Sequence, residues 1–113
     1  MIDTYGFKNL NFSCGKDNKY FKKQRMIRGF DDSELWNLDI TISQFILPRL
    51  MIFRKNHHGY PADLTNNQWN TVLEKMIRAF EWDTHESNIY MKVPDYVNEG
   101  LDLFRKYFFD LWD

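Results

Sequence analysis

Three histidines and two nearby carboxylates are the side chains of this sequence best suited to metal chemistry. His57 and His58 lie in one polar segment with Asp63, and His85 lies in another beside Glu86. Imidazole and carboxylate groups bind zinc and similar ions, but this spacing matches no ligand motif. We therefore expect no bound metal and no cofactor, and assign the histidines to a helix C-terminus and its loops. A small metal-dependent hydrolase is kept as an alternative.

The sequence offers no nucleophile with a recognisable setting. Cys14 is the single cysteine, and a thiol paired with a distant histidine is the nucleophile of some enzymes. Nothing around Cys14 resembles such a signature. The chain also lacks a phosphate-binding loop, a dinucleotide-binding glycine pattern and a serine elbow. We therefore predict no catalytic residue and expect a protein that acts by binding.

A second group of residues combines charge with aromatic rings, which suits an anionic ligand that carries a base. Cationic side chains attract phosphate, and Trp or Tyr rings stack on bases. Asp39 and Arg49 fall close to the apolar stripe of a predicted helix, where an unpaired charge is costly. Either internal ion pairs satisfy both charges, or they face a ligand. The predicted ligand-binding residues are Arg28, Trp36, Asp39, Arg49, Arg54, Lys55, His58 and Tyr60.

The N-terminal part of the chain is basic. Residues 1–30 carry seven Lys or Arg against two Asp, a net charge of +5, whereas residues 31–113 carry −6. One interpretation is that this part docks onto the acidic remainder; the other, which we favour less, is contact with nucleic acid. The basic run itself consists of Lys19, Lys22, Lys23, Arg25 and Arg28.

The first of three predicted helices spans about residues 33–56. Asp31 and Glu34 have the spacing of a capping box, and apolar residues then recur at helical spacing from Leu35 to Phe53. Pro48 lies inside this run and predicts a kink rather than two helices, because the stripe continues in phase. Apolar residues lie nearly all round this helix, so we expect it to be buried on more than one side.

The second and third helices are predicted at about residues 65–84 and 94–112. Thr65 and Gln68 have capping-box spacing just before a periodic stripe. Pro94 suits the first turn of the third helix. Gly100 lies inside that helix at a cost of about 1 kcal/mol relative to alanine, which indicates a close approach to a neighbouring helix.

The predicted fold is all-α. A three-helix bundle-like domain forms residues 31–113, and an irregular basic arm, residues 1–30, packs on it. The length of 113 residues suits one domain. The chain has no signal-peptide pattern and no apolar run long enough to cross a bilayer, and a single cysteine suits a reducing compartment. These features predict a cytoplasmic protein without membrane contact.

Over about residues 28–113 the chain resembles a family of small, uncharacterised proteins encoded by tailed bacteriophages. The motifs that carry this resemblance are Gly29-Phe30-Asp31, Trp36-Asn37-Leu38-Asp39, Ile46-Leu47-Pro48-Arg49-Leu50, His58-Gly59-Tyr60-Pro61, Leu64-Thr65, Glu99-Gly100-Leu101-Asp102-Leu103-Phe104, Lys106-Tyr107-Phe108 and Leu111-Trp112-Asp113. The resemblance implies a phage origin and expression in the host cytoplasm, and supplies no reaction and no catalytic residue.

Two kinds of binding function fit this resemblance. The leading hypothesis is a counter-defence protein, assembled as a homo-oligomer, that inhibits a host immune protein or sequesters a nucleotide immune signal. The alternative is a structural or DNA-associated accessory protein of the phage, whose basic arm contacts nucleic acid or an acidic partner.

Overall fold

The computed structural model describes residues 18–86 and 91–113. Every regular element within these ranges is helical, which confirms the all-α prediction. The five α-helices are α1 (Lys19–Arg28), α2 (Ser33–Trp36), α3 (Leu38–Asn56), α4 (Asn66–Glu81) and α5 (Asp95–Lys106). A π-helical turn, Trp82–Glu86, follows α4, and a 3-10 turn, Phe108–Asp110, follows α5.

The prediction of an irregular arm is wrong for residues 19–28, because they form α1. The Asn18 side chain accepts a hydrogen bond from the Phe21 N–H at 2.8 Å and caps the helix. Gly29 ends it with a φ of 86°, a left-handed conformation that glycine adopts without strain. The stretch lacks a clean apolar period because the face that contacts the rest of the chain is largely polar. Residues 1–17 of the predicted arm lie outside the described residues.

The predicted first helix begins at Ser33 as expected but is divided in two. Asn37 has φ −130° and ψ 71°, outside the helical region, so α2 ends there and α3 begins. The Thr41 hydroxyl donates to the Glu34 carbonyl at 2.6 Å and links the two pieces across the break. Pro48 lies inside α3, which continues as one helix to Asn56; the bend that Pro48 predicts stays a prediction.

The main core lies where α3, α4 and the end of α5 meet. The Thr65–Gln68 capping box is present, with both reciprocal hydrogen bonds formed. The stripe of α4 then faces inward, and Trp69 at its start is fully buried. The buried members of this core are Leu47, Leu50, Trp69, Leu73, Met76, Ile77, Phe80 and Tyr107.

Two predicted helix ends are corrected. α4 stops at Glu81, where the π-helical turn takes over, and α5 stops at Lys106 instead of near residue 112. Tyr107 leaves the helical region with φ −106° and ψ 16°. Its ring is buried against Trp69 at a centroid distance of 5.6 Å, and its hydroxyl donates to the Asp63 carboxylate at 3.1 Å. These contacts turn the chain out of the helix.

Gly100 lies where α5 crosses α4, as the sequence predicts. A β-carbon at this position would overlap the backbone carbonyl oxygen of Lys75 and lie 2.7 Å from the Ala79 β-carbon. Only glycine therefore permits this approach of the two helices. Beside the crossing, the Lys75 ammonium group and the Glu99 carboxylate form an ion pair at 2.6 Å.

Candidate functional site

The predicted ligand-binding residues are spread along the molecule. α3 contains 19 residues, and a rise of 1.5 Å per residue gives it a length of roughly 28 Å. Asp39 lies in its first turn and Lys55 in its last turn. These residues therefore cannot surround one small ligand together with Arg28 and Trp36, which belong to α1 and α2.

Asp39 and Arg49, which the sequence places close to the apolar stripe of this helix, are both exposed. The Arg49 guanidinium lies 3.9 Å from the centre of the Phe45 ring and donates to the Phe45 carbonyl at 2.8 Å. It forms no ion pair with any residue in the described ranges. The face of α3 that packs on α4 contains Leu47 and Leu50.

Asp39 belongs to an acidic pair with Asp83, from the π-helical turn. Burial and a hydrogen bond with the Asp39 carboxyl raise the pKa of Asp83 above its ordinary value, while the Ser43 hydroxyl lowers it. That hydroxyl donates to the Asp83 carboxylate at 2.9 Å. Two carboxyl groups this close favour sharing a proton.

Arg54 serves the packing of α3 on α4. Its Nε donates to the Asn70 carbonyl at 3.1 Å, and the same nitrogen lies 3.4 Å from the Glu74 carboxylate. His57, one turn later, contacts the Asn70 amide oxygen at 2.6 Å and the Gly59 carbonyl at 2.9 Å. Of the predicted set at this end of α3, Lys55 is exposed.

Arg28 and Trp36 lie where α1 meets α2. The Arg28 guanidinium donates to the Asp32 carboxylate at 2.6 Å and to the Phe30 carbonyl at 3.0 Å, and lies over the Phe30 ring. Trp36 is exposed but its ring makes an edge contact with Phe21, at a centroid distance of 5.7 Å. The Arg28 charge is therefore neutralised within the chain.

A buried carboxylate anchors α1 to the start of α2. Asp31 is fully buried and forms an ion pair with Arg25. It also accepts a hydrogen bond from the Ser33 N–H at 2.8 Å, while its own N–H donates to the buried Glu34 carboxylate at 2.6 Å. Burial opposes ionisation, but the bonds from Ser33 and Arg25 outweigh it and lower the pKa of Asp31.

The face of α1 that points away from residues 31–36 is basic and apolar. It belongs to the basic run identified in the sequence, where no helix was predicted. Phe21, Gln24, Arg25 and Arg28 recur at helical spacing and all face the segment of residues 31–36. The outward residues include Met26, 88% exposed, and Ile27, 74% exposed. We call this the α1 outer face; it consists of Lys19, Tyr20, Lys23, Met26 and Ile27, all exposed.

His58 and Tyr60 line an open groove of about 390 Å³ together with Trp112 near the end of the chain. The Asp113 carboxylate occupies its polar corner. It accepts from the His58 N–H at 2.8 Å, from the Gly59 N–H at 3.2 Å and from the His58 ring at 2.8 Å. These bonds, led by the His58 N–H, lower the pKa of Asp113 to about 2. His58 was predicted to contact an anionic ligand, and here it contacts the Asp113 carboxylate of the same chain.

A second exposed apolar surface runs along α3 opposite the core. Leu38, Ile42 and Phe45 recur at spacings of four and three residues, each is more than two fifths exposed, and Arg49 follows four residues later. Such spacing places all four on one side of the helix. We call this the α3 stripe.

The alternative of a metal-dependent hydrolase receives no support within the described ranges. There, no three side chains of His, Cys, Asp or Glu lie close enough to hold an ion. Cys14 and the Glu86 side chain lie outside the described residues. In the same ranges, no helix combines the length and the apolar character needed to cross a membrane.

Comparison with known proteins gives no relatives. No protein-family model, no curated protein and no solved structure matches the chain.

Proposed function

We propose that this chain is a phage accessory protein that acts by binding, and that it inhibits a host immune protein in the host cytoplasm. The observation that carries this proposal is the α1 outer face. Met26 and Ile27 are strongly exposed there between Lys19 and Lys23. An apolar centre with a charged rim is the usual anatomy of a protein-binding patch.

The charge of α1 indicates the chemistry of the partner. The helix contains five Lys or Arg and no acidic residue. Arg25 and Arg28 are neutralised by Asp31 and Asp32, whereas Lys19 and Lys23 lie on the outer face. The surface that fits is an apolar patch bordered by Asp or Glu side chains, as on the acidic face of an amphipathic helix.

The experiment uses a set of bacterial strains that each carry one immune system, infected with and without expression of the chain. We expect restored plaque formation in at least one strain, and binding of the purified chain to a protein of that system. Met26→Glu with Ile27→Glu should abolish both effects. Phe109→Glu is the matched control, because Phe109 is also strongly exposed but belongs to the 3-10 turn after α5 and not to the α1 outer face. Restoration that survives the α1 substitutions would contradict the role of this face, and no restoration in any strain would contradict counter-defence.

Sequestration of a nucleotide signal is the second candidate, and the groove beside His58 favours it. Tyr60 and Trp112 present exposed rings there, and rings stack on bases. Calorimetry with cyclic and ADP-ribose-type nucleotides tests it. Binding that is lost in Tyr60→Ala or Trp112→Ala would favour sequestration; no binding at micromolar concentration would exclude it.

A role on phage DNA is the third candidate, since α1 is basic. Met26→Ala and Ile27→Ala distinguish it from protein binding. They should weaken contact with a protein partner but leave contact with DNA phosphates unchanged, because phosphate contact depends on Lys and Arg.

A further inference from the structure

The groove beside His58 contains two aromatic rings that the rest of the described chain does not use. Tyr60, in the loop between α3 and α4, is 53% exposed, and Trp112, after the 3-10 turn, is 76% exposed. Both side chains line the groove. Within the described part of the chain, neither ring stacks on another ring or on a Lys or Arg side chain. Ring faces left open in this way suit a ligand that is flat or positively charged.

The charged side chains of the groove are mainly carboxylates. Asp110 is exposed, and its carboxylate forms no hydrogen bond or ion pair with any residue in ranges 18–86 and 91–113. The pKa of Asp113 is lowered to about 2, so this carboxylate is ionised at neutral pH. Apart from His58, no basic side chain of these ranges lines the groove. The groove is therefore complementary to a cation and repels the phosphates of a nucleotide.

A guanidinium group is the cation that best matches both properties. It is planar, so it stacks on aromatic rings, and its fork of N–H donors fits the two oxygens of a carboxylate. The lysine ammonium group is a compact and strongly hydrated charge, which matches flat rings less well. We infer that the groove receives an arginine side chain of a partner protein, with its guanidinium on the Tyr60 and Trp112 rings and its N–H groups donating to Asp110.

The two sides of the groove are already held together in the unbound chain. One side consists of residues 58–61 and the other of residues 110–113. The Asp113 carboxylate joins them by accepting from the His58 N–H at 2.8 Å and from the Gly59 N–H at 3.2 Å. Because the sides are fixed before binding, less conformational entropy is lost when the ligand enters.

The arginine site goes beyond the proposed function and uses a different surface. The groove shares no residue with the α1 outer face. Its test uses a small probe and needs no immune protein, so failure to bind arginine would leave the test of the α1 outer face unaffected.

The test is a titration of the full chain with arginine blocked at both ends, followed by nuclear magnetic resonance. Shifts of the Trp112 indole N–H and the Gly59 backbone N–H report binding in the groove. A single side chain makes few contacts, so we expect saturation with a dissociation constant of roughly 1 to 10 mM. Blocked citrulline, which has a similar shape and no charge, should bind at least about fivefold more weakly.

Substitutions identify the residues that bind the probe. Asp110→Asn should weaken arginine binding by roughly threefold to fivefold, because it removes an exposed ion pair. Trp112→Ala should weaken it by a similar factor, measured at Gly59, because it removes a stacking ring. Asp102→Asn is the matched control, since Asp102 is exposed on α5 and does not line the groove, and it should bind arginine like the unmodified chain.

Four outcomes would overturn the inference. The first is the absence of shifts at these two N–H groups with blocked arginine up to about 50 mM. The second is equal binding of citrulline and arginine, which would remove the role of charge. The third is an equal loss in Asp110→Asn and Asp102→Asn, which would indicate attraction to the whole acidic surface. The fourth is tighter binding of adenosine monophosphate than of arginine, which would assign the groove to nucleotides.

Discussion

Asp39 and Arg49 lie ten residues apart on α3, a separation of about 15 Å along the helix axis, so neither neutralises the other. Both are exposed. Their spacing within the sequence indicated charges close to an apolar stripe, and that stripe is real. Its residues Leu38, Ile42 and Phe45 are exposed whereas Leu50 is buried, and both charges lie at the surface.

The first prediction concerns the crossing of α4 and α5. Gly100→Ala should lower the free energy of unfolding by about 2 kcal/mol, because overlap with the Lys75 carbonyl outweighs the gain of about 1 kcal/mol in helix propensity. Urea denaturation followed by circular dichroism measures this. Asn98→Ala, on the exposed side of the same helix, should leave stability nearly unchanged or raise it. Equal effects of the two substitutions would contradict the close approach.

The second prediction concerns the anchor of α1. Asp31→Asn removes the ion pair with Arg25 and should lower the free energy of unfolding by about 1 to 2 kcal/mol at neutral pH. Asp102 is exposed on α5, so Asp102→Asn is the matched control and should leave the free energy of unfolding nearly unchanged.

The dependence on pH follows from the lowered pKa of Asp31. A carboxyl whose folded-state pKa lies below the unfolded value of 3.8 contributes its full stability above 3.8. That contribution disappears as the pH falls through the folded-state pKa. The difference in stability between the unmodified chain and Asp31→Asn should thus be constant near neutrality and shrink below a pH of about 4. A difference that grows in acid would contradict this assignment.

The third prediction concerns the groove beside His58. Because the pKa of Asp113 is lowered to about 2, its side-chain carboxyl should still be ionised at a pH of about 3. The chemical shift of its carboxyl carbon reports this directly. His58→Ala should keep much of the effect, since the largest cause is the backbone N–H of residue 58, which alanine retains. A titration midpoint at 3.8 in the unmodified chain would show that Asp113 does not occupy this corner.

The fourth prediction concerns the acidic pair. Asp83→Asn should raise the melting temperature at neutral pH, because it removes the cost of burying a charged carboxylate next to Asp39 while an amide oxygen still accepts from Ser43. The pKa of Asp83 is raised in the folded state, so its charged form destabilises the fold as the pH rises through that pKa. The advantage of the variant should therefore disappear in acid. Differential scanning calorimetry at two pH values tests both statements, and a lower melting temperature at neutral pH would refute the first.

Local signals in the sequence predicted a large part of the fold. The Thr65 capping box and the stripe of α4 depend on residues within one or two turns, and both are present. Gly100 could be assigned to a helix crossing from the sequence, because glycine destabilises a helix interior and a close approach of a second helix is a reason to keep it there. α1 was missed because its contact face uses Gln24, Arg25 and Arg28, which give no apolar period.

The candidate sites were less predictable because they depend on contacts between distant residues. Asp113 contacts His58 across 55 positions, and no local pattern indicates that pairing. The apolar residues of α3 are periodic whether they face a core or solvent. Only the packing of α4 on the opposite side of α3 determined which of them stay exposed.

The role proposed for the α1 outer face is tested most directly by the binding of the purified chain to the host immune protein that it inhibits. We expect the unmodified chain and Phe109→Glu to bind this protein, and the variant with Met26→Glu and Ile27→Glu to lose binding, because both substitutions place a charge in the exposed apolar centre of the face. Binding by the α1 variant that is as tight as that of the unmodified chain would contradict this role.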